Sequence, residues 1–550
     1  MELQRWQLAE MTQAEPVLSP AANLARPARW QVAAAARASA LLQMLNRAAR
    51  HKALVCISMA ALPMIIRLAV LHYVPIPQPS VHDEFSYILA ADTFRSGRLT
   101  NPPHPMWEHF ETFHELMQPT YQSKYPPAQG MFLALGWKVF GNPWYGVCIT
   151  FGLMCGCLCW MLQGWMPPVY AMLGTLVAMG QIGIFGYWMD SYWGGAVAAA
   201  GGALALGALP RLAHRASTAV SALGTVGVAL LANSRPYEGL MMLIAAAVAL
   251  LWWRRRMGRR LTELFSWRNL VPFLLIGGCV ATWMAYYNYR VTGKPWKLPY
   301  MAYEDTYAMV PQWVILPPIK HPPHFRHEVL KQFWTEEEAP QYIGARHNPF
   351  RAAVKSLHDA LPFFFSTLSF ALVAAALLIS QSPKLWLAAG IGAMLWLASL
   401  LELWYFPHYL AGGTGLVFVI AMFGMRLLRV TSRRVGALIL LLVAATPFLH
   451  GLSQIVAAHD GAGRPKPRLA VTRSLLATGG RHLVFVRYSR DHDIYGLEWV
   501  FNAANIDSSP IVWARDMGVE KNKELLSYYP DRKAWLLKPE PTPTLTLYAR

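Results

Sequence analysis

Charge is what this chain has least of. Of its 550 residues only 14% are Asp, Glu, Lys or Arg, against 55% that are hydrophobic. A soluble domain carries about a quarter charged residues. Apolar runs of about 18 to 22 residues recur between positions 54 and 456, each long enough to cross a bilayer core as a helix. An ordinary soluble protein is excluded, and a polytopic membrane protein is expected. Cysteine is also scarce. All six (Cys56, Cys148, Cys155, Cys157, Cys159 and Cys279) lie in or beside apolar segments, which argues against a disulfide framework. Cys155, Cys157 and Cys159 lack the spacing and polar setting of a zinc site and read as small helix residues. Acidic residues number 30 against 49 basic, a net charge of +19. That excess does not signal nucleic acid, because no basic, aromatic-interleaved soluble module is visible. The basic residues gather in short loops beside the apolar runs. The first apolar run begins too late for a cleaved leader. No inverted repeat of the kind that marks many transporters is visible.

What is present orders itself along the chain. Residues 1–52 hold seven Lys/Arg and three Glu, and their Ala-rich part, 32–52, suits a helix on the inner membrane surface. About eleven spans are expected, near 53–73, 144–163, 169–187, 191–209, 217–231, 237–253, 270–289, 361–379, 385–403, 409–428 and 435–456. Arg67 falls inside the first, where it either snorkels or faces the protein interior. Two long polar loops follow, at 75–142 and 290–359. Placing the N-terminus in the cytoplasm puts the dense basic clusters, 211–215, 254–260 and 426–434, on the inner side as the positive-inside rule requires. The opposite short loops then hold a single Arg. Residues 457–550 differ in composition. Short apolar runs at 482–488, 498–502, 511–515 and 534–537 read as strands and 521–528 as a helix, a small α/β unit with a buried sheet.

In that topology the polar motifs share the outer face. Val81-His82-Asp83-Glu84-Phe85 opens the first loop, with the two acids at the start of a helix running to about Gly97. Either the pair serves a site or it caps the helix. Adjacent helical residues point about 100° apart, so both need not face one site. Lys124-Tyr125-Pro126-Pro127 holds a lysine on stiff, extended backbone, suited to a phosphate or simply to the interface. Arg235-Pro236-Tyr237-Glu238 offers a bidentate phosphate ligand or an Arg235–Glu238 ion pair. His408 follows Phe406-Pro407 at the outer end of a span. Tyr303-Glu304-Asp305 adds carboxylates that read as solvated. Trp188, Tyr192, Trp193 and Trp404 suit interfacial anchoring or sugar stacking.

The order of Asp83-Glu84, Lys124-Tyr125-Pro126-Pro127, Arg235-Pro236-Tyr237-Glu238 and Phe406-Pro407-His408-Tyr409 resembles the GT-C superfamily of membrane glycosyltransferases, within it the protein O-mannosyltransferase and aminoarabinose-transferase group. The resemblance covers about residues 53–456. It implies a helical GT-C-like membrane fold with periplasmic loops; the N-terminal arm and the small C-terminal α/β unit at 457–550 fall outside it. It implies inverting transfer of a sugar, hexosyl or pentosyl, from a polyprenyl-phosphate donor to a glycan, lipid or protein acceptor. Asp83 would be the base or acceptor-orienting carboxylate, with Glu84 beside it. Lys124, Arg235 and His408 would bind the donor phosphate. Tyr125, Asp190, Tyr192, Tyr237 and Glu238 would contact substrate. His408 stands where the aminoarabinose transferases carry Arg, which shifts the expected phosphate-binding role towards Arg235 and Lys124. No organic cofactor is implied. A divalent metal, Mg or Mn, is left open, with Asp83 and Glu84 as its contacts, since no clear ligand set is visible. The implied location is a bacterial inner membrane, with an active site and C-terminal unit in the periplasm, among membrane lipids and without nucleic acid. The alternatives are a lipid or small-molecule transporter or flippase, which would more naturally hold charges deep within its spans, and a non-catalytic assembly factor whose tail does the binding.

Overall fold

The structure, a computed structural model, describes residues 29–184, 186–431, 433–461, 467–495 and 498–549. The start of the N-terminal arm lies outside them. Helix α1 (Arg29–Ala48) buries Ala38 and Leu42, and it packs against the long helix that ends the membrane unit. Helix α2 (Lys52–Ala69) is the first span. Its Arg67 faces inward: the guanidinium sits 3.0 Å from Asp190 and 4.8 Å above the Trp144 ring, and donates to the Val74 carbonyl at 2.7 Å. A charge at this depth is tolerable only when paired and fully bonded.

The first loop folds as α3 (His82–Arg95), a two-stranded hairpin of β1 (Glu115–Leu116) and β2 (Gln122–Ser123), and α4 (Pro127–Phe140). Proline at the first turn starts α4, and Gly141, at φ +78°, ends it in the left-handed region. Then come α5 (Trp144–Trp165), α6 (Pro168–Ile182), α7 (Gly195–His214), α8 (Thr218–Ala232), α9 (Pro236–Arg256) and α10 (Trp267–Thr292). Helix α7 is central and built of Gly and Ala. A Cβ on Gly202 would lie 1.9 Å from the Gly412 carbonyl oxygen. Only glycine allows that approach, which seats the 3₁₀ turn Pro407–Gly413 against the bundle.

The second loop carries α11 (Pro299–Tyr307), α12 (Glu328–Gln332), a π-helical turn Phe333–Glu338 and α13 (Ala339–His347). Helix α14 (Pro349–Phe364) bends by 115° into the next helix, α15 (Thr367–Ile379). Helices α16 (Pro383–Ser399), α17 (Thr414–Thr431) and α18 (Arg433–Gly461) close the membrane unit.

Each expected span falls on helical chain, 361–379 across the bend between α14 and α15. Among the described residues seven helices are long and apolar enough to cross a membrane, or eight if α14 and the helix after its bend form one broken span. The protein is a multi-pass membrane protein. The other expected spans fall on apolar helices that are shorter or bent. Helices α6 and α8 have 15 residues each and α16 has 17, and at 1.5 Å per residue these span only about 22 to 26 Å.

The C-terminal unit comprises α19 (Pro467–Ala477), β3 (His482–Val486), β4 (Ile511–Arg515), α20 (Val519–Tyr528), β5 (Lys533–Lys538) and β6 (Thr544–Leu547). The sheet order is β4-β3-β5-β6, with β3 parallel to β4 and β5 and only β6 antiparallel. Segment 498–502, expected as a strand, is not one. The Asn502 side chain takes the ladder's place on β4, donating to the Trp513 carbonyl at 2.8 Å and accepting the Trp513 N–H at 2.9 Å. The unit rests on the first loop. Tyr121 donates to the Asn502 carbonyl at 3.0 Å, Arg515 to the Glu111 carbonyl at 2.9 Å, and the Ala504 N–H to Asp92 at 2.9 Å.

Candidate functional site

Helix α3 begins where the chain turns out of an extended Val81. Glu84, at its third position, reaches back to accept the Val81 N–H at 3.2 Å and the Ser80 N–H at 2.9 Å, the reciprocal half of a capping box. Its other oxygen accepts the Tyr192 N–H at 3.1 Å, and the Tyr192 hydroxyl donates to the Pro77 carbonyl at 3.0 Å. Glu84 and Tyr192 therefore tie the start of the first loop to the 186–194 turn. With three backbone N–H groups on one carboxylate, Glu84 is committed to the fold.

Asp83, one residue earlier, points the other way, into a cavity of about 720 Å³ between the helix ends and both long loops. The Tyr125 hydroxyl donates to Asp83 Oδ1, and the Tyr125 ring stacks on Tyr87 of α3 at 4.5 Å. Asp83 Oδ2 lies 3.1 Å from His82 Nδ1 and 3.7 Å from His114 Nε2. His114 is brought in by strained backbone, at φ +61° just before β1, a region where histidine is one of the few enriched side-chain residues. The strain is held: the His114 carbonyl accepts from Ser86 Oγ at 2.7 Å and from the Lys124 N–H at 3.0 Å. Burial pushes the Asp83 carboxyl up, but His114, His82 and the Tyr125 donation outweigh it and hold it well below the usual carboxylate range. Burial, then the Lys124 ammonium, push the His114 imidazole well down. The arrangement is an ionised carboxylate held among two imidazoles and a tyrosine hydroxyl.

One ligand atom each from His82, Asp83 and His114 lies within 4.8 Å of the others. Among the described residues His82 Nε2 and His114 Nδ1 have no hydrogen-bond partner, and His82 Nδ1 meets only the Asp83 carboxylate. Buried imidazole nitrogens left unpaired beside a carboxylate fit a cation. Two imidazoles and one oxygen suit Zn²⁺ better than Mg²⁺. Asp83 is shared with the ligand pair expected from sequence, but the two histidines stand where Glu84 was expected.

Two cations line the cavity. Lys124 Nζ lies 3.7 Å from Glu304 and over the rings of Tyr300 and Tyr303 at 4.4 and 4.5 Å. Burial pushes its pKa down, opposed by Glu304, Glu338 and Asp83. Arg235 sits 3.5 Å from Glu238 and 4.3 Å over Tyr409. His408 precedes Tyr409 on the 3₁₀ turn, its Nδ1 2.8 Å from the Tyr187 hydroxyl. Tyr237 also lines the cavity, its hydroxyl donating to the Ala398 carbonyl at 2.9 Å. Thus Asp83, Lys124, Tyr125, Arg235, Tyr237, Glu238 and His408 meet at one cavity, whereas Glu84, Asp190 and Tyr192 lie outside its lining. Asp190 is the partner of Arg67.

Other lining residues were not anticipated. His82 was legible as the neighbour of Asp83, but His114 carries no local signal. Glu304, read as solvated, is half-buried behind the lining, against Lys124. Glu338 and Glu402 are buried acids of the lining, and Asp493 and Tyr495 come from the C-terminal unit.

No family model and no curated protein sequence matches the chain. Solved structures do resemble it. ArnT from Cupriavidus metallidurans in the apo state aligns over 87% of this chain and 92% of its own, with a TM-score of 0.48 and 12% identity. The Archaeoglobus fulgidus oligosaccharyltransferase in complex with Zn and sulfate aligns over 86% of this chain and 67% of its own, with a TM-score of 0.41 and 10% identity. AglB from Archaeoglobus fulgidus, in complex with an inhibitory peptide and a dolichol-phosphate, aligns over 88% of this chain and 69% of its own, with a TM-score of 0.37 and 12% identity.

Proposed function

We propose that this chain is a membrane glycosyltransferase that moves a sugar from a polyprenyl-phosphate donor to an acceptor hydroxyl, with inversion, at the periplasmic face of a bacterial inner membrane. The observation that carries the reading is Asp83: an ionised carboxylate, oriented by Tyr125, in a cavity that also holds the cations Lys124 and Arg235. In the transfer the acceptor oxygen attacks the anomeric carbon. The bond to the phosphate oxygen breaks, and its electron pair leaves with the polyprenyl phosphate. Cationic side chains stabilise that charge as it forms. A carboxylate held at low pKa is a weak base, so Asp83 aligns the acceptor hydroxyl and takes its proton late, once attack has made it acidic.

His82, Asp83 and His114 are the residues that would hold a divalent cation. Such an ion supplies Lewis-acid stabilisation of phosphate oxygen charge. Asp83 would then serve as its ligand as well as facing the acceptor. The test is polyprenyl-phosphate release from a panel of polyprenyl-phosphate sugars, with purified protein in nanodiscs. Asp83→Asn should abolish release and retain donor binding. Release at the wild-type rate by that variant would remove the assignment.

A further inference from the structure

The C-terminal unit extends into the cavity. In its sheet, chain order reverses at β3, with β4 on one side and β5 on the other. The carboxyl ends of parallel strands at such a reversal are where open α/β sheets commonly present their ligand-binding loops. Here the loop leaving β3 is turned towards the membrane unit. Its stem is fastened beyond β5: the Ser489 N–H donates to Glu540 Oε2 at 3.2 Å, and His492 Nδ1 lies 2.5 Å from Glu540 Oε1. Its far end places Asp493 and Tyr495 in the cavity lining.

Tyr495 there meets the π-helical turn, an irregularity often found at functional sites. Its hydroxyl donates to Glu337 Oε2 at 2.5 Å. Its ring stands across those of Trp404 (80°, 6.4 Å) and Phe333 (66°, 6.3 Å), which themselves lie parallel at 15° and 6.0 Å. The three rings form a corner, with the carboxyl groups of Asp493 and Glu338 in the same lining.

We propose that this corner is a subsite for a sugar ring, and that Asp493 and Tyr495 make the C-terminal unit a determinant of which sugar is accepted. Aromatic walls cover the C–H face of a pyranose, and carboxyl oxygens accept its hydroxyls. An isoprenoid chain has no use for the carboxyl groups, and a bare phosphate would be repelled by an ionised one. The proposal rests on the glycosyl-transfer reading for the identity of the ligand. The ring recognised belongs either to the donor or to the acceptor.

Equilibrium binding to the full-length protein in nanodiscs distinguishes these sources. Three probes serve: polyprenyl phosphate alone, polyprenyl-phosphate hexose, and a free short oligosaccharide. Asp493→Asn and Tyr495→Ala should leave the affinity for polyprenyl phosphate within about twofold and weaken a sugar-bearing probe about tenfold or more. Weakening of the hexose donor assigns the corner to the donor sugar, and weakening of the oligosaccharide assigns it to the acceptor. Tyr495→Phe, which keeps the ring, should retain most of the sugar affinity. The proposal is overturned if neither variant alters any probe, if wild type binds polyprenyl phosphate as well as the hexose donor and does not bind the oligosaccharide, or if all probes weaken together with a fall in melting temperature. None of these readouts needs turnover, so a failure of the Asp83→Asn test registers separately.

Discussion

The indole nitrogen of Trp404 donates to Glu338 Oε1 at 2.6 Å inside the cavity. Burial, then the charge of Glu304, push the Glu338 carboxyl up to about 8, and the indole only partly opposes them. Glu338 therefore keeps its proton at neutral pH. As pH rises through about 8 the proton is lost, and the cavity gains a negative charge within reach of Lys124. A phosphate's own ionisation, near pH 6, is complete by then. Affinity for polyprenyl phosphate should accordingly fall between pH 7 and pH 9. Glu338→Gln should remove that fall. Trp404→Phe, which deletes the donor that lowers the pKa, should move it to higher pH. A falling limb unchanged in Glu338→Gln would assign it to another group.

Lys124 and Arg235 differ in how they are held. Lys124 is packed between tyrosine rings and Glu304, and Arg235 lies between Glu238 and Tyr409. Lys124 is buried and Arg235 half-buried, so salt screens them little. Lys124→Ala and Arg235→Ala should each weaken polyprenyl-phosphate binding about tenfold or more, the value of a charge-assisted hydrogen bond. Glu304→Gln, which leaves the ammonium in place and removes its partner, should weaken binding less than Lys124→Ala does. Unchanged affinity in both alanine variants would remove these residues from the phosphate site.

Much of the membrane unit is legible because hydropathy dominates there. Each apolar run became a helix, and the motif residues at helix ends, Asp83, Lys124, Arg235 and His408, came together because those ends share one face. What was not legible depends on chain folding back over long separations. His114 enters the site through one left-handed residue and a hairpin too short to give a strand pattern. Glu304 and Glu338 look like loop acids until α11 and the π-helical turn set them against Lys124 and Trp404. Asp493 and Tyr495 reach Asp83's cavity from the far end of the chain. Asp190 and Tyr192 sit among aromatic residues that suggested a sugar site, yet Arg67 and Pro77 take their polar groups.

Adjacent acids should give opposite phenotypes. Glu84 accepts three backbone N–H groups, from Ser80, Val81 and Tyr192. Glu84→Gln replaces one accepting oxygen by a donor and should cost about 1 to 3 kcal/mol of stability, read as a lower melting temperature. The folded fraction should keep most of its turnover. Asp83→Asn should leave the melting temperature nearly unchanged and abolish turnover. Equal loss of turnover without destabilisation in Glu84→Gln would place Glu84 in the chemistry after all.

A cation at His82, Asp83 and His114 would need both imidazoles, because Asp83 alone offers too few donors to compete with water. Zinc or manganese titrated by calorimetry into protein stripped with chelator should bind with one site per chain. His82→Ala and His114→Ala should each lower that affinity about tenfold or more, as loss of a ligand requires. Glu84→Gln should leave it unchanged, since the Glu84 carboxylate is turned towards the backbone of residues 80, 81 and 192. Retention of the site in both histidine variants would move the metal elsewhere. Absence of any site, with release unaffected by chelator, would leave His82 and His114 as the groups that hold Asp83 ionised, and Lys124 and Arg235 as the cations available to the leaving phosphate.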